Sequence, residues 1–87
     1  MNVTFEFYGV ARLRAGRQRV SVQGDTLGAA IAALGRACPD LAGPVLEAGR
    51  LSHHFRLSLN GRAFISDPTH PLSEGDALIL MSAEAGG

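Results

Sequence analysis

Apolar and polar residues alternate from the third position: Val3, Phe5 and Phe7 share one face and Thr4, Glu6 and Tyr8 the other. That period of two predicts a half-buried strand. Val20 and Val22 alternate in the same way with Arg19, Ser21 and Gln23. Residues 14–17, with Gly16 inside, can turn the chain, so an opening β-hairpin is expected. The period then changes. Leu27, Ile31, Leu34 and Cys38 follow one another at spacings of four, three and four, the stripe of one amphipathic helix over about residues 26–37. Asp25 is a plausible N-cap, Ala29, Ala30, Ala32 and Ala33 favour helix, and Pro39 ends it because its ring cannot continue the hydrogen-bond ladder. Cys38 falls on the apolar stripe and reads as a small buried hydrophobe.

Residues 41–54 carry no clear period; Gly43, Pro44 and Gly49 interrupt them, which suggests a surface loop with a short helical turn around 45–48. Phe55, Leu57 and Leu59 then alternate with Arg56, Ser58 and Asn60, and Asn60-Gly61 supplies the positive φ values of a tight hairpin turn into 62–65. After Pro68 and Pro71, Leu72-Ser73-Glu74-Gly75-Asp76 reads as a turn before an unbroken apolar strand at 77–81. The expected order is β-β-α-β-β-β, an α+β unit. A strand without alternation is covered on both faces, so the last strand belongs at the sheet centre beside the first. If Leu78 and Leu80 face the helix, Ile79 and Met81 face away and form an apolar partner-docking surface.

Composition narrows the function. Eight basic and eight acidic residues among 87 leave a formal net charge of zero, with no long-range field to hold a phosphate backbone, so nucleic acid is not an expected partner. Arg12, Arg14, Arg17 and Arg19 gather near one turn, and Asp67, Glu74, Asp76 and Glu84 lie toward the C-terminus. Cys38 is the single cysteine, which excludes an internal disulfide, a CxxC pair and a cysteine-held zinc or iron–sulfur centre, and fits a reducing cytoplasm. His53, His54 and His70 lack metal-ligand spacing. No GxSxG elbow is present, and Gly24-Asp25-Thr26-Leu27-Gly28 lacks the lysine of a phosphate-binding loop. No apolar run approaches the length of a membrane span, and no secretory leader opens the chain. No catalytic side chain emerges. All eight cations are arginine; an activated carboxyl group would meet no lysine of its own chain.

What remains is the terminal Gly86-Gly87. An α-carboxylate is ionised at neutral pH and can attack the α-phosphate of ATP, giving an acyl-adenylate that a sulfur nucleophile displaces. Without Cβ atoms, two glycines can thread a narrow channel in another protein, with Gly86 giving access and Gly87 the reactive group.

The chain resembles the ubiquitin-like sulfur carriers of the MoaD/ThiS family. The likeness lies in residues 5–14, in Gly24-Asp25-Thr26-Leu27-Gly28, in Leu59-Asn60-Gly61, in Leu72-Ser73-Glu74-Gly75-Asp76 and in the terminal Gly86-Gly87. It implies a β-grasp fold over residues 1–82, a mixed sheet on one main helix, with a flexible tail at 83–87. It implies a carrier rather than an enzyme, with no bound cofactor. An E1-like adenylating enzyme uses ATP to activate Gly87, a persulfide converts it to a thiocarboxylate, and the sulfur passes to an acceptor such as the large subunit of molybdopterin synthase. The opening segment most resembles the molybdopterin branch. Related carriers serve cysteine, thiamine or tRNA thiolation pathways. A ubiquitin-like protein modifier and a plain interaction domain are the other readings, while a plant-type ferredoxin on the same fold fails on cysteine count.

Overall fold

A computed structural model describes residues 1–83. The chain runs β1 (Asn2–Phe7), α1 (Val10–Ala15), β2 (Arg19–Gln23), α2 (Leu27–Ala37), a single 3₁₀ turn (Pro39–Leu41), β3 (Leu46–Glu47), β4 (Arg50–Leu51), β5 (Phe55–Leu59), β6 (Ala63–Ile65) and β7 (Ala77–Ser82). Five strands form one sheet in the order β2-β1-β7-β5-β6, and β3 pairs with β4 in a small separate hairpin. β7 runs parallel to β1, with Phe5 opposite Leu78 and Phe7 opposite Leu80, and antiparallel to β5, with Leu57 opposite Leu80. The last strand is therefore central, as its unbroken apolar run predicts.

The two-residue period decides which side chains are buried. Val3, Phe5, Phe7, Leu57, Leu78 and Leu80 are all at most 1% exposed and pack with Leu27, Ala30, Ile31 and Leu34 of α2. Cys38 joins this core, as its place on the helical stripe predicts. Burial raises its thiol pKa; the positive charge of Arg17 opposes that shift and Asp40 adds to it. The Asn60-Gly61 turn adopts φ values of 55° and 70°, the left-handed geometry expected of the second hairpin.

Three local expectations are corrected. The opening strands are antiparallel neighbours, but they are joined through the short helix α1 rather than a bare turn. Ala11, completely buried on α1, explains why a helix forms there: it gives the connection an apolar anchor. Thr26, not Asp25, caps α2; its Oγ1 accepts from the Ala29 N–H at 3.2 Å, and Asp25 instead receives the amino group of Met1 at 3.0 Å. Residues 45–48 contain no helical turn. Leu41, Val45 and Leu46 are buried, so the 39–54 segment closes the core with the 3₁₀ turn and the β3–β4 hairpin.

The Gly-Asp-Thr-Leu-Gly motif is structural at both glycines. A Cβ at Gly24 would sit 2.6 Å from the Ala30 nitrogen, and one at Gly28 would sit 3.2 Å from the Pro68 carbonyl oxygen. The first N–H groups of α2 are already used, since Leu27 donates to the His70 carbonyl at 2.9 Å and Gly28 to that of Pro68 at 2.8 Å. A segment whose amide donors are so engaged cannot cradle a phosphate.

Candidate functional site: the open sheet face and the end of the last strand

The helix α2 covers one face of the sheet; the residues of β7 that alternate with its buried leucines look out from the other. Ile79 and Met81 are half-buried there. Their neighbours follow from register: Ile79 lies between Glu6 of β1 and Ser58 of β5, and Met81 lies opposite Arg56. The face is thus an apolar strip edged by one carboxylate and one guanidinium. Its chain-exit end is enlarged by Tyr8, 53% exposed, whose N–H donates to the Leu80 carbonyl at 3.1 Å.

Two further apolar side chains project from α1: Val10 is 49% exposed and Leu13 83%. Reading 14–17 as a bare hairpin turn concealed them. The available signal was Val10-Ala11-Arg12-Leu13, which places Ala11 on a helical core face and Leu13 off it. Arg12 and Arg14 lie in the last turn of this helix, where positive charge favours the C-terminal carbonyls.

The point at which the chain leaves the domain is held by the β5 side of the sheet. Ser82 is the register partner of Phe55, and the Ala83 N–H donates to the His54 carbonyl at 2.8 Å. Gly86 and Gly87, the adenylation site expected from the sequence, lie outside the described residues.

Asp67, Glu74 and Asp76 serve the scaffold, while Glu84 lies outside the described residues. Asp76 accepts from Asn60 Nδ2 at 3.0 Å and from the Ser73 N–H at 2.7 Å, and these hydrogen bonds lower its pKa. Asn60 Oδ1 in turn accepts from the Ala77 N–H at 2.8 Å, so the β5–β6 turn fastens the start of β7. Glu74 accepts from the backbone and side-chain amides of Asn2 at 2.9 and 3.1 Å, which lowers its pKa. Asp67 is lowered in the same way by the Thr69 N–H and hydroxyl. The rings of His53 and His54 approach to 4.0 Å between centroids. Among the described residues no cluster of three or more His, Cys, Asp or Glu side chains could hold a metal ion, and no helix is long and apolar enough to cross a membrane.

No protein-family model matches the sequence, and no curated protein matches it closely. Solved structures do. The small archaeal modifier protein SAMP1 from Haloferax volcanii superposes with a TM-score of 0.83 at 28% identity, the match covering all of both chains. CysO of Mycobacterium tuberculosis gives a TM-score of 0.77 at 23% identity over 93% of this chain and 98% of that one. A protein–protein complex of subunits 1 and 2 of the molybdopterin-converting factor of Helicobacter pylori contains a chain with a TM-score of 0.66 at 21% identity, covering both chains fully. The latter two likenesses are of fold; the first extends to sequence. With a central last strand parallel to the first, one helix across the sheet and these neighbours, the chain adopts a ubiquitin-like β-grasp fold, similar to that of the small archaeal modifier SAMP1 and in keeping with the resemblance to the MoaD/ThiS carriers.

Proposed function

We propose that this protein is a sulfur carrier, acting as a protein co-substrate rather than as an enzyme, in a reducing cytoplasm. The observation that carries the reading is the position of β7: central, parallel to β1, and followed within a few residues of sequence by Gly86-Gly87. A carboxylate oxygen of Gly87 attacks the α-phosphorus of ATP bound to an E1-like enzyme, and pyrophosphate leaves. The terminal sulfur of a protein persulfide then attacks the acyl carbon and expels AMP. A second thiol cleaves the resulting S–S bond, which leaves the thiocarboxylate on Gly87. In this reading no side chain among the described residues takes part in these bond changes. It holds Ile79, Met81 and Tyr8 as the surface on which activating and accepting enzymes dock. The acceptor proposed first is a molybdopterin synthase large subunit, a pairing supported by the two-subunit complex among the structural neighbours. An acceptor in a cysteine, thiamine or tRNA thiolation pathway is the alternative.

A second reading follows from the likeness to an archaeal modifier protein: the same adenylate is captured by a lysine of another protein to form an amide. The chain itself contains no lysine to capture it. Intact mass separates the readings. The full chain is incubated with ATP, a sulfide source and an E1-like enzyme from the same organism, beside a variant lacking Gly87. Replacement of one oxygen by sulfur in the full chain alone is the expected result. Covalent conjugates on a denaturing gel would favour the modifier. An unchanged mass with an enzyme shown to activate another carrier would leave a plain interaction domain.

A further inference from the structure

The β6 edge of the sheet, remote in chemistry from the chain's end, combines three features. β6 is the last strand in the sheet order, so its outer backbone edge has no strand partner among the described residues. Beside it a hollow of about 610 Å³ opens between α2, the β3–β4 hairpin and the β5–β6 hairpin, with Leu27, Ile31 and Leu57 on its apolar lining. That volume lies within the range of about 300–1,000 Å³ common to ligand clefts. Charge is the third feature: residues 48–66 contain Arg50, Arg56 and Arg62 and no acidic residue. None of the three arginines makes an ion pair among the described residues.

We propose that this edge binds an extended segment of a partner protein, alternating apolar and acidic residues, as an added strand alongside β6. The alternation follows from the period of two along any strand. Residues of the incoming segment that share the face of Leu57 and Ile65 meet the apolar hollow. Those between them share the face of Arg56, whose guanidinium stands 5.1 Å above the ring of the exposed Phe64. Arg50 lines the hollow on the opposite face, with Glu47 as its register partner, and takes no part in this charge pairing. A second copy of this chain is the poorer occupant, because its own β6, Ala63–Ile65, brings no carboxylate to meet Arg56. The proposal does not depend on Gly87 or on sulfur transfer.

The test is a titration of the isotope-labelled full chain with a capped Glu-Ile-Glu-Val-Glu-Ile peptide, followed by amide chemical shifts. Perturbation centred on residues 50–57 and 62–66, weakening as salt is raised, is expected. The same peptide with lysines in place of glutamates, or N-methylated at alternate amides, should leave those shifts unmoved. An Arg56→Glu, Arg62→Glu double variant with unchanged melting temperature should bind about tenfold or more weakly, equivalent to ~1.4 kcal/mol. The proposal is overturned by equal binding of the lysine peptide, by shifts confined to β2 or to the Ile79 face, or by undiminished binding to the double variant. Dimerisation of the free protein through β6 would overturn it as well, by making a second copy the occupant.

Discussion

Replacing Leu80 by alanine isolates the role of the central strand. Leu80 is fully buried, flanked in register by Phe7 on one side and Leu57 on the other, so removal of its isopropyl end opens space that neither backbone can collapse to fill. Three carbons lost from the core at ~0.8 kcal/mol each come to ~2.4 kcal/mol. The residual cavity raises the expected cost to ~3–4 kcal/mol. A domain of this length has a total stability of only about 4–13 kcal/mol. Its unfolding entropy, near 0.18 kcal/mol/K at typical per-residue values, converts a 3 kcal/mol loss into a fall in melting temperature of roughly 16 °C. Ile79→Ala removes as many carbons from the half-buried opposite face and should cost only ~1–1.5 kcal/mol. Urea unfolding of both variants, with unchanged m-values, measures the difference directly. A larger loss for Ile79→Ala would refute the assignment of the two faces and move the docking strip to Leu78 and Leu80.

Gly24→Ala should destabilise by ~1–3 kcal/mol although Gly24 does not need a positive φ, because the new Cβ meets the backbone of Ala30, which cannot rotate aside. Thermal melts beside Gly49→Ala, where a Cβ would meet only open space but φ is 77°, separate crowding from conformational strain. Cys38 should resist iodoacetamide at pH 8 in the folded protein and react on addition of urea, since burial keeps its thiol protonated; mass spectrometry reads the adduct. The hydrogen bonds from Asn60 and Ser73 hold Asp76 below its unfolded pKa. Its contribution to stability is therefore complete above about pH 4 and is lost as pH falls through the lower folded value. Asp76→Asn should flatten the acid limb of a stability-versus-pH curve modestly, as solvent reaches this half-buried group and screens it; an unchanged limb would assign the acid sensitivity to Glu74 and Asp67.

The strands and main helix were legible because each buries one face, and burial of one face imprints a period on the sequence. Val3, Phe5 and Phe7, the Leu27–Leu34 stripe and the Asn60-Gly61 turn all read correctly for that reason. The element α1 was not, since six residues with a single buried alanine leave too few positions for a period to show. The segment 39–54 was illegible for a related reason: its buried Leu41, Val45 and Leu46 meet the core through irregular backbone, where spacing carries no information.

The candidate site divides along the same line. Chain chemistry alone leads to the proposed site at Gly87, which lies outside the described residues, because reactivity there belongs to an atom type and needs no neighbour. Period alone set Ile79 and Met81 opposite Leu78 and Leu80, because successive residues of a strand point to opposite faces whatever the fold. The tertiary structure decided what lies beside them: Glu6, Ser58 and Arg56 across the register, Tyr8 at the exit end, and, one strand further out, the edge strand β6. Those neighbours come from segments dozens of residues apart in sequence, and only the pairing of strands and the packing of a shared core bring them together.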